Sequence, residues 1–120
     1  MEVLLLPVDQ ELYSLPMEFL REVIATPRIT PVPTAPATIL GLVNVRGEIV
    51  PLFDVAALLG TGHISSALFA VVIEVEGGRA ALATSEVPDS DKLSFSKVNR
   101  RRSEADNYFT LEAGDFEKIR

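Results

Sequence analysis

This sequence predicts a mainly β, barrel-like fold, and three observations carry that reading. Short apolar and β-branched runs recur along the chain, each closed by glycine, proline or acidic residues. Two glycine-bearing turns, at Arg46-Gly47 and Glu76-Gly77-Gly78, lie between such runs in the manner of hairpins. Only two stretches suit a helix, and both are brief. Short strands with abundant turn residues and minor helices describe a small barrel rather than a bundle or a doubly wound sheet.

A chain of 120 residues is one domain by the usual prior. It is long enough to bury about two thirds of the surface it would expose unfolded. With 48% hydrophobic and 23% charged residues, neither disorder nor a disulfide scaffold is supported. The absence of cysteine removes disulfides, iron–sulfur ligation and thiol catalysis together. No basic segment leads into an apolar one at the start, since Glu2 follows the initiator and Asp9-Gln10-Glu11 cuts the first run short. The longest apolar run, Ala67 to Ile73, is far below the roughly 20 residues of a membrane span. A cytoplasmic protein is expected. Its net charge of −6 opposes broad association with nucleic acid or an anionic leaflet and favours a protein partner.

In chain order, Val3 to Val8 and Leu12 to Leu15 flank Asp9-Gln10 as an opening hairpin. Pro16 presets φ for a helix start, and Met17, Leu20 and Ile24 recur at helical spacing, so a short helix is expected there, ending by Thr26 before Pro27. Four prolines from Pro27 to Pro36 predict a stiff extended connector. Ile39 to Val45 and Glu48 to Phe53 form the central hairpin, in which Pro51 marks an edge or a bulge. Asp54 caps and Gly60 closes a helix of barely two turns over Val55 to Leu59. Gly60 to His63 is a loop. Ala67 to Val75 and Arg79 to Ala83 make a further hairpin whose first strand is apolar on both faces. Asp89-Ser90-Asp91 reads as a turn, and Tyr108 to Leu111 as a last strand.

Alternation along the central hairpin puts Asn44 and Arg46 on one side, with Ile39, Val43 and Val45 on the other. One face is core and the other is open to be met. Arg46 brings a planar charged fork to the turn, and Asn44 adds an amide beside it. The residues alone leave two readings of equal weight: recognition of a partner, or an arginine folded back onto Glu48 or onto turn carbonyls.

The stretch Gly41-Leu42-Val43-Asn44-Val45-Arg46-Gly47, followed by Pro51-Leu52-Phe53-Asp54 and Leu58-Leu59-Gly60, closely resembles the CheW-like domain family. Glu11 to Pro16, Leu20 to Ile24, Pro31-Val32-Pro33, Ala35-Pro36 and the hairpin from Phe69 to Val87 resemble its other segments in the same order. The resemblance implies two small five-stranded Src-homology-3-like barrels in a single domain over 1–120. The first would span about 1–60, from the opening and central hairpins. The second would span about 65–120 and be abbreviated, since Lys92 to Arg120 is polar and only faintly resembles the family's closing strand and helix at Phe109 to Glu112 and Asp115 to Ile119. It also implies a non-enzymatic adaptor without cofactors. Its partners would be the cytoplasmic tip of a methyl-accepting chemoreceptor and the regulatory domain of a CheA-type histidine kinase. The partner-binding residues implied are Leu20, Glu22, Gly41, Asn44, Arg46 and Gly47, with Leu20 as an apolar anchor and Glu22 and Arg46 as opposite rim charges.

Other chemistry has weaker support. His63, the one histidine, reads as a solvated loop residue, because no cysteine or second histidine joins it to make a zinc site. Ser65-Ser66 lack a nucleophile elbow, and Asp89 and Asp91 lack the remaining ligands of a calcium loop. Arg100-Arg101-Arg102 is a solvated run without interleaved aromatics, and no glycine pattern suits a nucleotide. A scaffold serving another signalling system through one partner, a small hydrolase using His63, and a nucleic-acid-binding barrel using the triple arginine stand as alternatives.

Overall fold

A computed structural model describes residues 2–92, 102–103 and 108–111. In chain order the strands are β1 (Glu2–Val8), β2 (Glu11–Pro16), β3 (Leu20–Ala25), β4 (Ile39–Val45), β5 (Glu48–Phe53), β6 (Phe69–Val75), β7 (Gly78–Thr84), β8 (Asp89–Lys92), β9 (Arg102–Ser103) and β10 (Tyr108–Thr110). A 3-10 turn covers Met17–Phe19, and the helix α1 covers Val55–Leu58. The strands form two five-stranded sheets, ordered β8-β1-β2-β10-β9 and β3-β6-β7-β5-β4. The mainly β reading holds.

The division of strands corrects the sequential barrels. The opening hairpin β1–β2 shares its sheet with β8, β9 and β10, whereas the central hairpin β4–β5 shares the other with β3, β6 and β7. The physical reason is the β6–β7 hairpin, whose strands are apolar on both faces and must therefore be covered on both. Ala70, Val72, Ala81 and Ala83 pack with Val43, Val45, Val50 and Leu52 on one side. Val71, Ile73, Ala80 and Leu82 pack with Leu4, Leu6, Tyr13 and Leu15 on the other. One hairpin thus walls two cores.

Two further expectations change. The stretch from Leu20 to Ala25 is a strand rather than a helix, with the helical geometry confined to Met17–Phe19. Its side chains alternate between half-buried and exposed, and Glu22 to Ala25 pair in sequence with Val72 to Phe69 of β6. A period of two and the β-branched pair Val23-Ile24 outweigh the sparse helical spacing. Asp89-Ser90-Asp91 is likewise strand, pairing with Leu5, Leu4 and Val3. It lies at a sheet edge, where polar sequence is tolerated. Of the arginine run, Arg102 lies in β9 and the other two fall outside the described residues, as does the closing helix expected from Asp115.

Pro51 sits within β5, an interior strand, opposite Leu42. Leu42 directs its N–H and C=O to Thr30, at 2.8 and 2.9 Å, so the Leu42–Pro51 pair exchanges no ladder bonds. The parallel ladder to β7 begins only at Leu52. Proline therefore occupies a place where its missing N–H has no partner to lose. The helix α1 has the expected ends. Asp54 accepts from the Ala57 N–H at 3.3 Å. Gly60, at φ 71, donates to Ala57 O while Thr61 donates to Ala56 O, at 3.2 and 2.8 Å, closing the helix with a left-handed cap.

A candidate partner-recognition face

The β4–β5 connection is a two-residue turn in which Arg46 and Gly47 both have positive φ, 51° and 86°. This mirror-image turn matches the twist of the flanking strands. Positive φ is uncommon for arginine, so the turn needs support. Asn44 supplies it: its Oδ1 accepts the Gly47 N–H at 2.9 Å. The Asn44 side-chain carbonyl is thereby engaged in building the turn, and its amide N–H groups remain to donate to another partner.

Arg46 reaches across to β3, where its Nε donates to Glu22 Oε2 at 2.8 Å. The carboxylate raises the guanidinium above its ordinary value, first through the hydrogen bond and then through its charge. The arginine side chain is 78% exposed and the glutamate 30%, so the pair stands at the surface with the guanidinium outermost. Arg46 does fold onto a carboxylate, one of the two readings the sequence allows, but the acid is Glu22 rather than Glu48. Glu48 instead faces Arg79 at 4.0 Å.

Glu22, Asn44, Arg46 and Gly47 are therefore brought together where β3 meets the β4–β5 turn. Leu20, two residues before Glu22, is half-buried and packs on the core that contains Leu6 and Ile73. Gly41 is buried beneath the connector, and a Cβ there would lie 2.5 Å from Thr30 O and 2.7 Å from Ile29 Cγ2. Its part is to let Thr30 approach β4, where their backbones form an isolated bridge. Gly41 thus shapes the face from below.

The sequence reading missed a ladder of exposed charges beside this face. Glu74 accepts from Arg79 Nε at 3.1 Å and meets Arg21 Nη2 at 3.6 Å. The hairpin register could have revealed part of it, since Glu74 and Arg79 are directly opposed across β6 and β7. These arginines hold the Glu74 carboxyl below its usual value, chiefly through the Arg79 hydrogen bond and next through the Arg21 charge.

His63 and Ser65 are not assembled for hydrolysis. His63 Nδ1 lies 3.4 Å from Oδ2 of buried Asp54, whose oxygens also accept the Ala57 and Ile64 N–H groups. Ser65 Oγ donates to Asp9 Oδ1 at 2.6 Å, and its N–H to Oδ2 at 3.0 Å. The serine and the histidine are committed to different aspartates, each of which holds a loop in place.

The sequence model of the CheW-like domain matches residues 2–112. The chain belongs to the CheW-like domain family. It is 28% identical over 72 residues to the chemotaxis protein CheW of Thermotoga maritima, covering 60% of this chain and 48% of that protein. It is 40% identical over 52 residues to the chemotaxis protein CheW of Rhizobium meliloti, covering 43% and 33%. The crystal structure of the scaffolding protein TtCheW from Thermoanaerobacter tengcongensis is similar with a TM-score of 0.69 at 26% identity, over 80% of this chain and 64% of that one. This CheW-like chain thus spans about half or less of the length of the relatives it matches in sequence. Family membership and the two-sheet topology agree, and the Arg46-Gly47 turn with its Glu22 partner lies at the surface of this CheW-like chain.

Proposed function

We propose that this chain is a non-enzymatic coupling adaptor of chemotaxis-type signalling. It holds the cytoplasmic tip of a methyl-accepting chemoreceptor and the regulatory domain of a CheA-type histidine kinase in one complex, working in the cytoplasm. The observation that carries this reading is the exposed Glu22–Arg46 pair on a rigid two-residue turn, which offers a charged fork in fixed geometry without a catalytic partner. Leu20, Glu22, Gly41, Asn44, Arg46 and Gly47 serve the interface, with Asn44, Gly41 and Gly47 acting through the shape of the turn. Membership in a family whose relatives are named as chemotaxis and scaffolding proteins supports the role. No helix among the described residues is long and apolar enough to cross a membrane.

Calorimetric titration tests it. The purified chain is titrated with the kinase regulatory domain and, separately, with a receptor-tip fragment from the same genome, as wild type and as Arg46→Glu. The expected result is binding in roughly the micromolar range suited to a transient interface, lost for at least one partner on charge reversal. Absence of heat with both partners at several temperatures would reject the adaptor role. Binding of one partner alone would assign the chain to single-partner scaffolding.

A further inference from the structure

A groove of about 420 Å³ opens between β3 and β4, the two edge strands of their sheet. Along this seam the isolated Thr30–Leu42 bridge ties the connector that follows β3 to β4. Its apolar walls are Ile24, Leu42, Val43 and Ile49, and Ile49, near the start of β5, is 59% exposed. Ile49 thus extends the apolar lining of a concave surface into solvent.

The polar groups that line the groove are biased toward donors. Arg28 is exposed, and no carboxylate among the described residues forms an ion pair with it. Asn44 has its carbonyl engaged by Gly47 and retains its amide N–H groups. The Thr30 N–H and C=O are both taken by Leu42. Glu22, the nearby acid of β3, is taken by Arg46. Arg28, which forms no ion pair among the described residues, and the Asn44 amide beside apolar walls form a local complement to an apolar group that carries a carboxylate.

We propose that this groove docks a segment of a partner protein in which an apolar side chain adjoins an aspartate or glutamate, the apolar group resting on Leu42 and Ile49 and the carboxylate on Arg28. The source is a protein rather than a free acid, because the groove is continuous with the turn that presents Arg46. Whichever protein supplies the segment, the docking chemistry is decided independently of the kinase and receptor titrations.

The test is amide chemical-shift titration of the ¹⁵N-labelled chain with two synthetic pentapeptides, acetyl-Gly-Leu-Asp-Phe-Gly-amide and its asparagine counterpart, with decanoate as a third probe. The acidic peptide is expected to shift the amides of Arg28, Leu42 and Asn44 and to bind about threefold or more tightly than the asparagine peptide. Arg28→Gln should abolish that preference with the spectrum otherwise preserved, and Ile49→Ala should weaken both peptides. Equal affinity for the two peptides, a preference that survives Arg28→Gln, or shifts absent from the groove would overturn the proposal. So would occupation by decanoate without the peptides, or concentration-dependent shifts of the same amides in the chain alone, which would make the occupant a second copy.

Discussion

Arg46 and Glu22 join two segments that no hydrogen-bonded ladder connects: the Nε–Oε2 contact of 2.8 Å links the β4–β5 turn to edge strand β3. Both ends are solvent-accessible, so the contact contributes to the shape of a surface more than to the stability of the core. Glu22→Gln should leave the melting temperature almost unchanged while weakening partner binding. The exchange Glu22→Arg with Arg46→Glu should restore the ion pair, and paired calorimetric titrations of singles and double would show whether orientation of the guanidinium or its charge is what the partner reads.

Gly41 has no room for a side chain. A Cβ 2.5 Å from a backbone oxygen cannot be accommodated by a rotamer change, so Gly41→Ala must displace Thr30 or β4. We expect a loss of about 1–3 kcal/mol in urea unfolding. Amide exchange of Thr30 and Leu42 should accelerate ahead of the rest of the sheet, since their two mutual hydrogen bonds are the ones strained.

Asp54 is buried and ties three segments. It caps α1 through the Ala57 N–H, holds the following loop through the Ile64 N–H, and its backbone N–H reaches Thr38 O. Asp54→Ala should cost about 1–2 kcal/mol, and Asp54→Asn less, as measured by thermal unfolding.

Acid should weaken the charge ladder on β6 and β7. The folded-state Glu74 carboxyl titrates below its ordinary value. Its contribution is therefore complete above the usual carboxylate range and disappears as pH falls through the depressed folded value. The stability difference between wild type and Glu74→Gln should be constant near neutrality and shrink to nothing on acidification. A difference that grew toward low pH would contradict the ion-pair geometry.

The strands and turns legible in the sequence were those with local signals. Asp54 and Gly60 bounded α1, Arg46-Gly47 fixed a hairpin, and the doubly apolar run of β6 announced a strand covered on both faces. Leu20 to Ala25 was misread because three apolar residues at helical spacing also fit a half-buried strand, and the pairing with β6 that decides between them is remote in sequence. The same remoteness hid the sheet assignment, since Leu52↔Ala81 and Leu12↔Tyr108 leave no mark on either partner. Of the candidate recognition face, Arg46 and Glu22 were legible as separate charges. Their contact, the structural use of Asn44, and the groove beside Arg28 depend on how β3 and β4 approach.

The parallel pairing of β10 with β2 bears on how the molecule comes into being. Leu12, Tyr13 and Ser14 meet Tyr108, Phe109 and Thr110, and Leu111 then donates to Ser14 O and is itself buried in the core beside Leu15. During synthesis β2 emerges long before β10, its second neighbour, exists. Local hairpins can form on the ribosome, but the loop closed by β2 and β10 is long and adds its entropy to the final step. Until that step, β2 is an unprotected edge, so the nascent chain is open to strand-to-strand aggregation until β10 docks.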